Sequence, residues 1–350
     1  MLRTLVAIVL LASSLTACER TTAPVRPLER DKSQSIRSPL FGDAYAVTVL
    51  PFIPAGINDL GVIAGTSGSV PNPTDAVTYY NGVMTTLPRV PGLGGQYEAR
   101  GINNSGSVIG TVQGGPGLYW PTPNATPMQI LGSPLVVEPS AINNFGAFVG
   151  TYRTPNFLYQ AFRDTAGILG GLVITPPLFQ DAWAVDVNDS GTIVGYGRVS
   201  GGPMQALRWR RGALNPTMLG AGMALAIRSN GDIVGVGSDQ QTPVMWTAAG
   251  VLSQLPVPAQ SLPEDISSQG RIVGRTLNTA TVNPHQPWTY LSGSPAWLPL
   301  PNLANTFVIR NLRVNRCGSI VGTQILTNGT SVGLLWTKLT CDGELPIATL

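Results

Sequence analysis

Histidine is almost missing from this 350-residue chain: there is one, His285, beside three cysteines. That leaves little for a zinc site, whose ligands are chiefly His and Cys, and a Ser-His-Asp triad would depend on a single residue. Charge is scarce too. Lys, Arg, Asp and Glu make up 11% of the chain, far below the usual quarter, which excludes a disordered chain held open by its own charge. Glycine (41) and proline (30) are abundant but follow no three-residue period. Collagen is therefore excluded and long helices are disfavoured.

The charge that exists is unevenly placed. Six of the 21 basic and three of the 18 acidic residues lie before residue 40, leaving the rest of the chain with 15 of each. Residues 1–17 read as a secretory signal: Arg3, an apolar run from Leu5 to Ala12, then small residues. The run is too short for a permanent transmembrane helix. Residues 18–39, with Pro24, Pro27, Pro39 and eight charges, read as a tether. The remaining body, residues 40–350, is neutral. Its one basic cluster, Arg208, Arg210 and Arg211, is expected on an outer-strand face, so nucleic acid is not an expected partner.

One pattern recurs seven times in the body. An apolar residue is followed usually by Asn, two variable positions, Gly, one variable position, two mostly apolar residues and Gly. The first glycines are Gly61, Gly106, Gly146, Gly191, Gly231, Gly270 and Gly318, at steps of 39 to 48 residues, and a second glycine always follows four residues later. Asn bonds its own backbone at a bend and Gly takes positive φ freely, so the pattern predicts a hairpin. β-Branched runs such as Ile193-Val194 then supply a buried strand. An aromatic-bearing segment follows, often with Trp (Trp120, Trp209, Trp246, Trp288, Trp336), as expected for packing between modules. A further strand ends in Leu-Pro or Leu-Gly. Pro there suits an outermost strand.

Four short strands per repeat predict an all-β fold: a seven-bladed β-propeller of four-stranded antiparallel blades. A solenoid of the same period is the alternative. Tyr45 to Pro51 looks like a unit-ending strand placed ahead of the first unit, as ring closure requires, although Leu345-Pro346 competes for the same slot. The hairpin pattern, followed by Ala-Phe/Leu and an aromatic, resembles the HAF repeat of bacterial extracellular proteins; where that family often has His-Ala-Phe, this chain has Gln160-Ala161-Phe162, Gln205-Ala206-Leu207 and Asp75-Ala76-Val77. That resemblance implies a secreted or surface protein and brings no catalytic residues with it. Leu15-Thr16-Ala17-Cys18 resembles the lipobox of bacterial lipoproteins. It implies lipidation of Cys18 and, with Glu19 rather than Asp next, an outer-membrane address.

With Cys18 lipidated, Cys317 and Cys341 remain. They fall in two turns on the same side of the seventh blade, so an exported chain is expected to join them. Little else carries chemistry. His285 sits in a proline-flanked loop with no nucleophile-elbow serine. Gly92-Leu93-Gly94-Gly95 has no Lys-Ser/Thr after it for a phosphate. Asp186 to Gly191 resembles half a calcium loop without its terminal acid, and the hairpin already explains it; neither metal nor cofactor is expected.

If the first strands line a central channel, Glu98, Arg100, Glu138, Asp186, Glu264, Asp265, Arg310 and Arg313 gather at its mouth. Glu98, Glu138 and Arg310 each stand eight residues before a turn glycine, which predicts equal heights around the ring. The expected function is a monomeric, membrane-tethered, non-enzymatic binding module for an envelope protein or glycan. Its long connections 66–75, 88–98 and 275–286 would form the binding face. A propeller hydrolase or lyase acting on glycans through paired carboxylates at the mouth is the alternative.

Overall fold

The computed structural model describes residues 45–68, 75–130, 136–165, 172–175, 178–277, 285–301, 305–338 and 341–342. The expected leader, Cys18, the tether and Leu345-Pro346 lie outside them. Seven separate four-stranded antiparallel sheets form seven blades of a β-propeller, and there is no helix among the described residues.

Blade 1 is typical. Its strands Phe52–Ile57, Ile63–Ser67, Ala76–Tyr80 and Val83–Thr86 follow one another as a meander from the channel outward. The first strands of blades 2 to 7 are Tyr97–Ile102, Val136–Ile142, Asp181–Val187, Met223–Ile227, Ser261–Ile266 and Thr306–Val314. Blade 7 closes the ring. Tyr45–Leu50 pairs antiparallel with Ser331–Lys338 as the outermost strand of that blade. The chain thus begins the body by completing its last sheet, which leaves no open seam.

The core is divided among the joints. Each of the seven blade-to-blade junctions holds its own apolar cluster, such as Ala226, Val234, Leu255, Ile266, Ile272 and Trp288 between blades 5 and 6. All five repeat tryptophans are fully buried. Four of them do more than fill space, because the indole donates to a carbonyl of the preceding blade. Trp120 reaches Pro88 at 2.8 Å, Trp209 reaches Ile174 at 2.9 Å, Trp246 reaches Leu219 at 3.2 Å and Trp336 reaches Pro299 at 2.7 Å. Trp288 stands two positions out of step, opposite Gly274 rather than Ile272, and its indole N–H is buried without a partner. The Leu-Pro pairs lie just past the fourth strands; the leucine N–H still bonds the third strand, as Leu87 does to Ala76 at 2.8 Å.

The repeated Asn has two tasks. In blade 1, Asn58 Oδ1 accepts the N–H groups of Leu60 and Val62, fixing the turn whose Gly61 has φ of 81°. Its amide then donates to the carbonyl of Asn103 in the next blade. The relay continues from Asn103 to Asn143, from Asn143 to Asn188 and from Asn188 to Arg228, while Asn315 returns to Asn58. A second relay runs one residue further along. Asp59, Asn104, Asn144 and Asp189 accept the N–H groups of Arg316, Asp59, Asn104 and Asn144 respectively.

Where Asn is replaced, charges take over. Arg228 is held within its own turn by Asp232. Beside Ser267, the buried Arg271 of blade 6 pairs with Asp342, which Lys338 of blade 7 also holds. The N–H of Asp342 in turn bonds Cys317, which is joined by a disulfide to Cys341, as the blade-7 turns predict. The basic trio is not on an outer strand. Arg208 belongs to the third strand of blade 4, where it donates to Ala248 of blade 5, and Arg210 and Arg211 occupy the turn after it.

Candidate functional site

The second glycine of the repeat builds the channel. In blades 1 to 6 a Cβ there would collide with the main-chain oxygen of Ile53, Glu98, Glu138, Trp183, Met223 or Leu262. The first strand crowds in because it carries a bulge opposite that glycine, for instance between Ala99 and Gly101. Blade 7 differs: its irregularity spans Arg310 to Arg313, and Asn311 takes a φ of 58°. The glycine is thus the counterpart of a bulge that aims first-strand side chains at the axis.

Two rings of side chains result. The outer ring, each member paired with the residue following a second glycine, is Ile53, Glu98, Glu138, Trp183, Met223, Leu262 and Arg310. The equal heights expected of Glu98, Glu138 and Arg310 are found. The inner ring is Gly56, Gly101, Ala141, Asp186, Ala226, Asp265 and Arg313, with Arg100 and Glu264 contributed by the bulged positions. Three cavities succeed one another along the axis. A mouth of about 570 Å³ holds Glu98, Glu138, Trp183, Tyr196, Arg310 and Asn311. A waist of about 140 Å³ holds Glu264, Asp186 and Asp265, and Arg100 and Arg313 border both spaces. A chamber of about 200 Å³ lies under the Asn relays.

The charges differ in their engagement. Glu98 pairs with Arg100 at 2.8 Å in partly exposed surroundings. Glu264 is saturated: one oxygen takes the Arg275 guanidinium at 2.6 Å and the other the Leu312 N–H at 2.7 Å. Arg275 also meets His285 Nδ1 at 3.2 Å, and burial followed by this cation lowers the imidazole's pKa. His285 is therefore tied into a Glu264–Arg275 pair.

Asp186 accepts the N–H groups of Val187 and of Ile227 in the next blade, and Asp265 those of Ile266 and of Val314. Burial is the main cause that raises both carboxyls. For Asp265 the Arg313 guanidinium opposes the rise and Asp186 adds to it, leaving it at about 6. Glu138 and Arg310, by contrast, are exposed and have no ion pair among the described residues.

Trp183 is the mouth residue that the sequence reading missed. Its ring stacks on Tyr196 at 5.1 Å and packs against Tyr159 of blade 3 at 5.4 Å. The signal was present: Trp183 precedes its turn glycine by the same eight residues as Glu98 and Glu138. Among the described residues there is no cluster of three or more His, Cys, Asp or Glu able to hold a metal ion.

No protein-family model matches this chain, and no curated protein matches it. Solved structures do. Virginiamycin B lyase from Staphylococcus aureus aligns with a TM-score of 0.50 at 11% identity, covering 83% of this chain and 99% of that one. YCF48 bound to D1 peptide aligns at 0.51 and 11%, covering 84% and 97%. Oligogalacturonate lyase from Vibrio parahaemolyticus aligns at 0.52 and 10%, covering 84% and 95%. At such identities the likeness establishes the propeller fold.

Proposed function

We propose that this chain is a membrane-anchored, extracytoplasmic propeller that acts without catalysis as a binding module, holding an envelope or extracellular protein at the mouth. The observation that carries this reading is the state of the mouth carboxylates. Glycoside cleavage by the usual route needs two acids roughly 5 to 9.5 Å apart, free to exchange protons. Here Glu98 of the mouth is neutralised by Arg100, and Glu264 of the waist by Arg275 and a backbone N–H, so of the two glutamates lining the mouth Glu138 alone has no ion pair among the described residues. A wide, partly polar cavity bordered by exposed charges suits recognition instead.

A propeller lyase or hydrolase is the second reading, and one observation favours it: Asp265, held at about 6, is near the range useful to a general acid. Against it, Asp265 and Asp186 each accept two backbone N–H groups across a blade joint, and their cavity is small for a sugar. The address rests on the sequence: the lipobox-like Cys18 places lipid at the mature N-terminus, and the HAF-like repeat supports an extracellular setting. YCF48, a propeller of like architecture, is seen with a peptide, which supports a protein partner in general terms.

The test uses the full-length chain in detergent. Immobilised protein is exposed to an envelope extract, and in parallel incubated with pectic and amino-sugar glycans. Saturable capture of one protein with no glycan product supports the binder. Release of reducing or unsaturated ends, lost in Asp265→Asn, would replace it with the enzyme. Membrane recovery should fall in Cys18→Ser.

A further inference from the structure

Charges at the mouth are arranged with a direction. Glu138 on blade 3 and Arg310 on blade 7 share one height, paired with Thr151 and Thr323 in equivalent registers. Blades 1 and 2 separate them on one side of the ring and blades 4, 5 and 6 on the other, so they face each other across the opening. Both are exposed, and neither has an ion pair among the described residues. Beneath Arg310, Arg313 donates to the carbonyls of Leu312 (2.9 Å) and Glu264 (3.5 Å), and its charge already acts on the buried carboxyls of Asp265 and Asp186. Arg310 is therefore an unpaired cation on blade 7 and Glu138 an unpaired anion opposite it, among the described residues. The ring between them on the blade-4 side, Trp183, is already engaged by Tyr196 and Tyr159. That limits the flat aromatic face on which a sugar would stack.

Resting on the binding reading above, the geometry points to a ligand class for this mouth: an extended peptide segment that carries one basic and one acidic side chain. The basic group meets Glu138, and the acidic group meets Arg310. Oppositely charged partners placed across an aqueous cavity favour such a segment over a uniformly acidic or basic one. A segment of one sign would satisfy one wall and be repelled by the other. The contacts are partly solvated, so they set selectivity and salt dependence more than absolute affinity.

The test measures fluorescence anisotropy with full-length protein in detergent. The probes are dye-labelled heptapeptides in a Gly/Ser background: Lys at position two with Glu at position six, Lys at both, Glu at both, and neither. Polygalacturonate serves as an acidic glycan. The mixed-charge peptide should bind best and weaken several-fold between 50 and 500 mM salt. Glu138→Lys and Arg310→Glu should each weaken it about tenfold, and the double reversal should restore binding, because a peptide can lie in either direction. Thermal unfolding of the variants should stay unchanged, as both positions are exposed. Equal binding of all four peptides, no binding, variants without effect, or preference for polygalacturonate would each overturn the inference. If an envelope protein is captured equally by the wild type and both charge variants, the ligand class falls while the binding reading stands. If the mixed peptide binds as described but no envelope protein is captured, the reverse holds.

Discussion

The side-chain amide of Asn315 donates to the main-chain oxygen of Asn58, 257 residues away, at 3.1 Å. It is the same bond that links Asn58 to Asn103 and Asn143 to Asn188 at separations of 45 residues. In the five blades that keep this Asn, the residue that bends the blade thus also fastens it to the next, and the relay crosses the point where the ring closes.

Asn143→Ala should cost about 2 kcal/mol, since it strips two N–H groups of their acceptor and removes one inter-blade donor. Asn143→Asp keeps the acceptor toward Phe145 and Ala147 and loses only the donor to Asn188. It should retain about half of that loss. Urea denaturation of both variants checks the division, and equal losses would contradict an inter-blade role for the amide.

Gly195 faces the main-chain oxygen of Trp183 with no room for a Cβ. Gly195→Ala should destabilise by about 3 kcal/mol or more through overpacking. At Gly94, which has open space, the same change should stay within about 0.5 kcal/mol. Thermal melts compare them, and a mild effect at Gly195 would refute the bulge as the reason for the second glycine.

Trp209 and Trp288 are both buried, yet only Trp209 has a partner for its N–H. Replacing Trp209 by Phe should cost about 1 kcal/mol more than replacing Trp288, because it leaves the Ile174 carbonyl unpaired. Equal losses would mean that the indole bond contributes nothing.

Two buried carboxylates give stability opposite slopes with pH. Asp265 titrates at about 6 in the folded chain, against about 4 when unfolded. Between those values the native state holds a proton that the unfolded chain has released, so stability falls as pH rises through that window. At Asp342, burial raises the pKa, but Arg271 and Lys338 outweigh it and lower it overall. Its contribution is present above about pH 4 and is lost as pH falls further. Melting temperatures from pH 3 to 8 should therefore decline from pH 4 to 6 in the wild type and decline less steeply in Asp265→Asn, where the buried Asp186 is still raised. The acid-side loss should remain in Asp265→Asn and shrink in Asp342→Asn, where Asp232 and Asp239, also lowered by their hydrogen bonds, still contribute. An unchanged slope in Asp265→Asn would contradict the placement of that proton.

Much of this was legible from spacing alone. Seven glycine-marked bends with four strands each define the blades, because turn chemistry and strand alternation are local properties; Tyr45 and Leu345-Pro346 compete in sequence for the closing strand, and only the pairing with Ser331–Lys338 shows Tyr45–Leu50 in that place. The joints were less legible. The repeat Asn reads as a turn former, but its free amide has no visible partner until the next blade is placed beside it. The second glycine has ordinary φ, so no local rule explains it; only the first strand's oxygen does. The Trp288 shift is invisible without register. At the mouth, an offset of eight residues before the turn glycine marks Glu98, Glu138 and Arg310, and the same offset marks Trp183, an apolar residue that no charge pattern singles out. Which charges cancel depends on bulge geometry, and so Glu264 and Glu138 look alike in sequence but differ in the fold.

The most direct test of the mouth as the working face is site-specific photocrosslinking. A benzophenone side chain is placed either at residue 53, in the mouth ring beside Arg310, or at residue 145, exposed on the opposite face among the Asn bends. Full-length protein carrying each is irradiated in an envelope extract. The expected result is one discrete adduct from residue 53, diminished by Arg310→Glu, and none from residue 145. An adduct from residue 145 with none from residue 53 would contradict it.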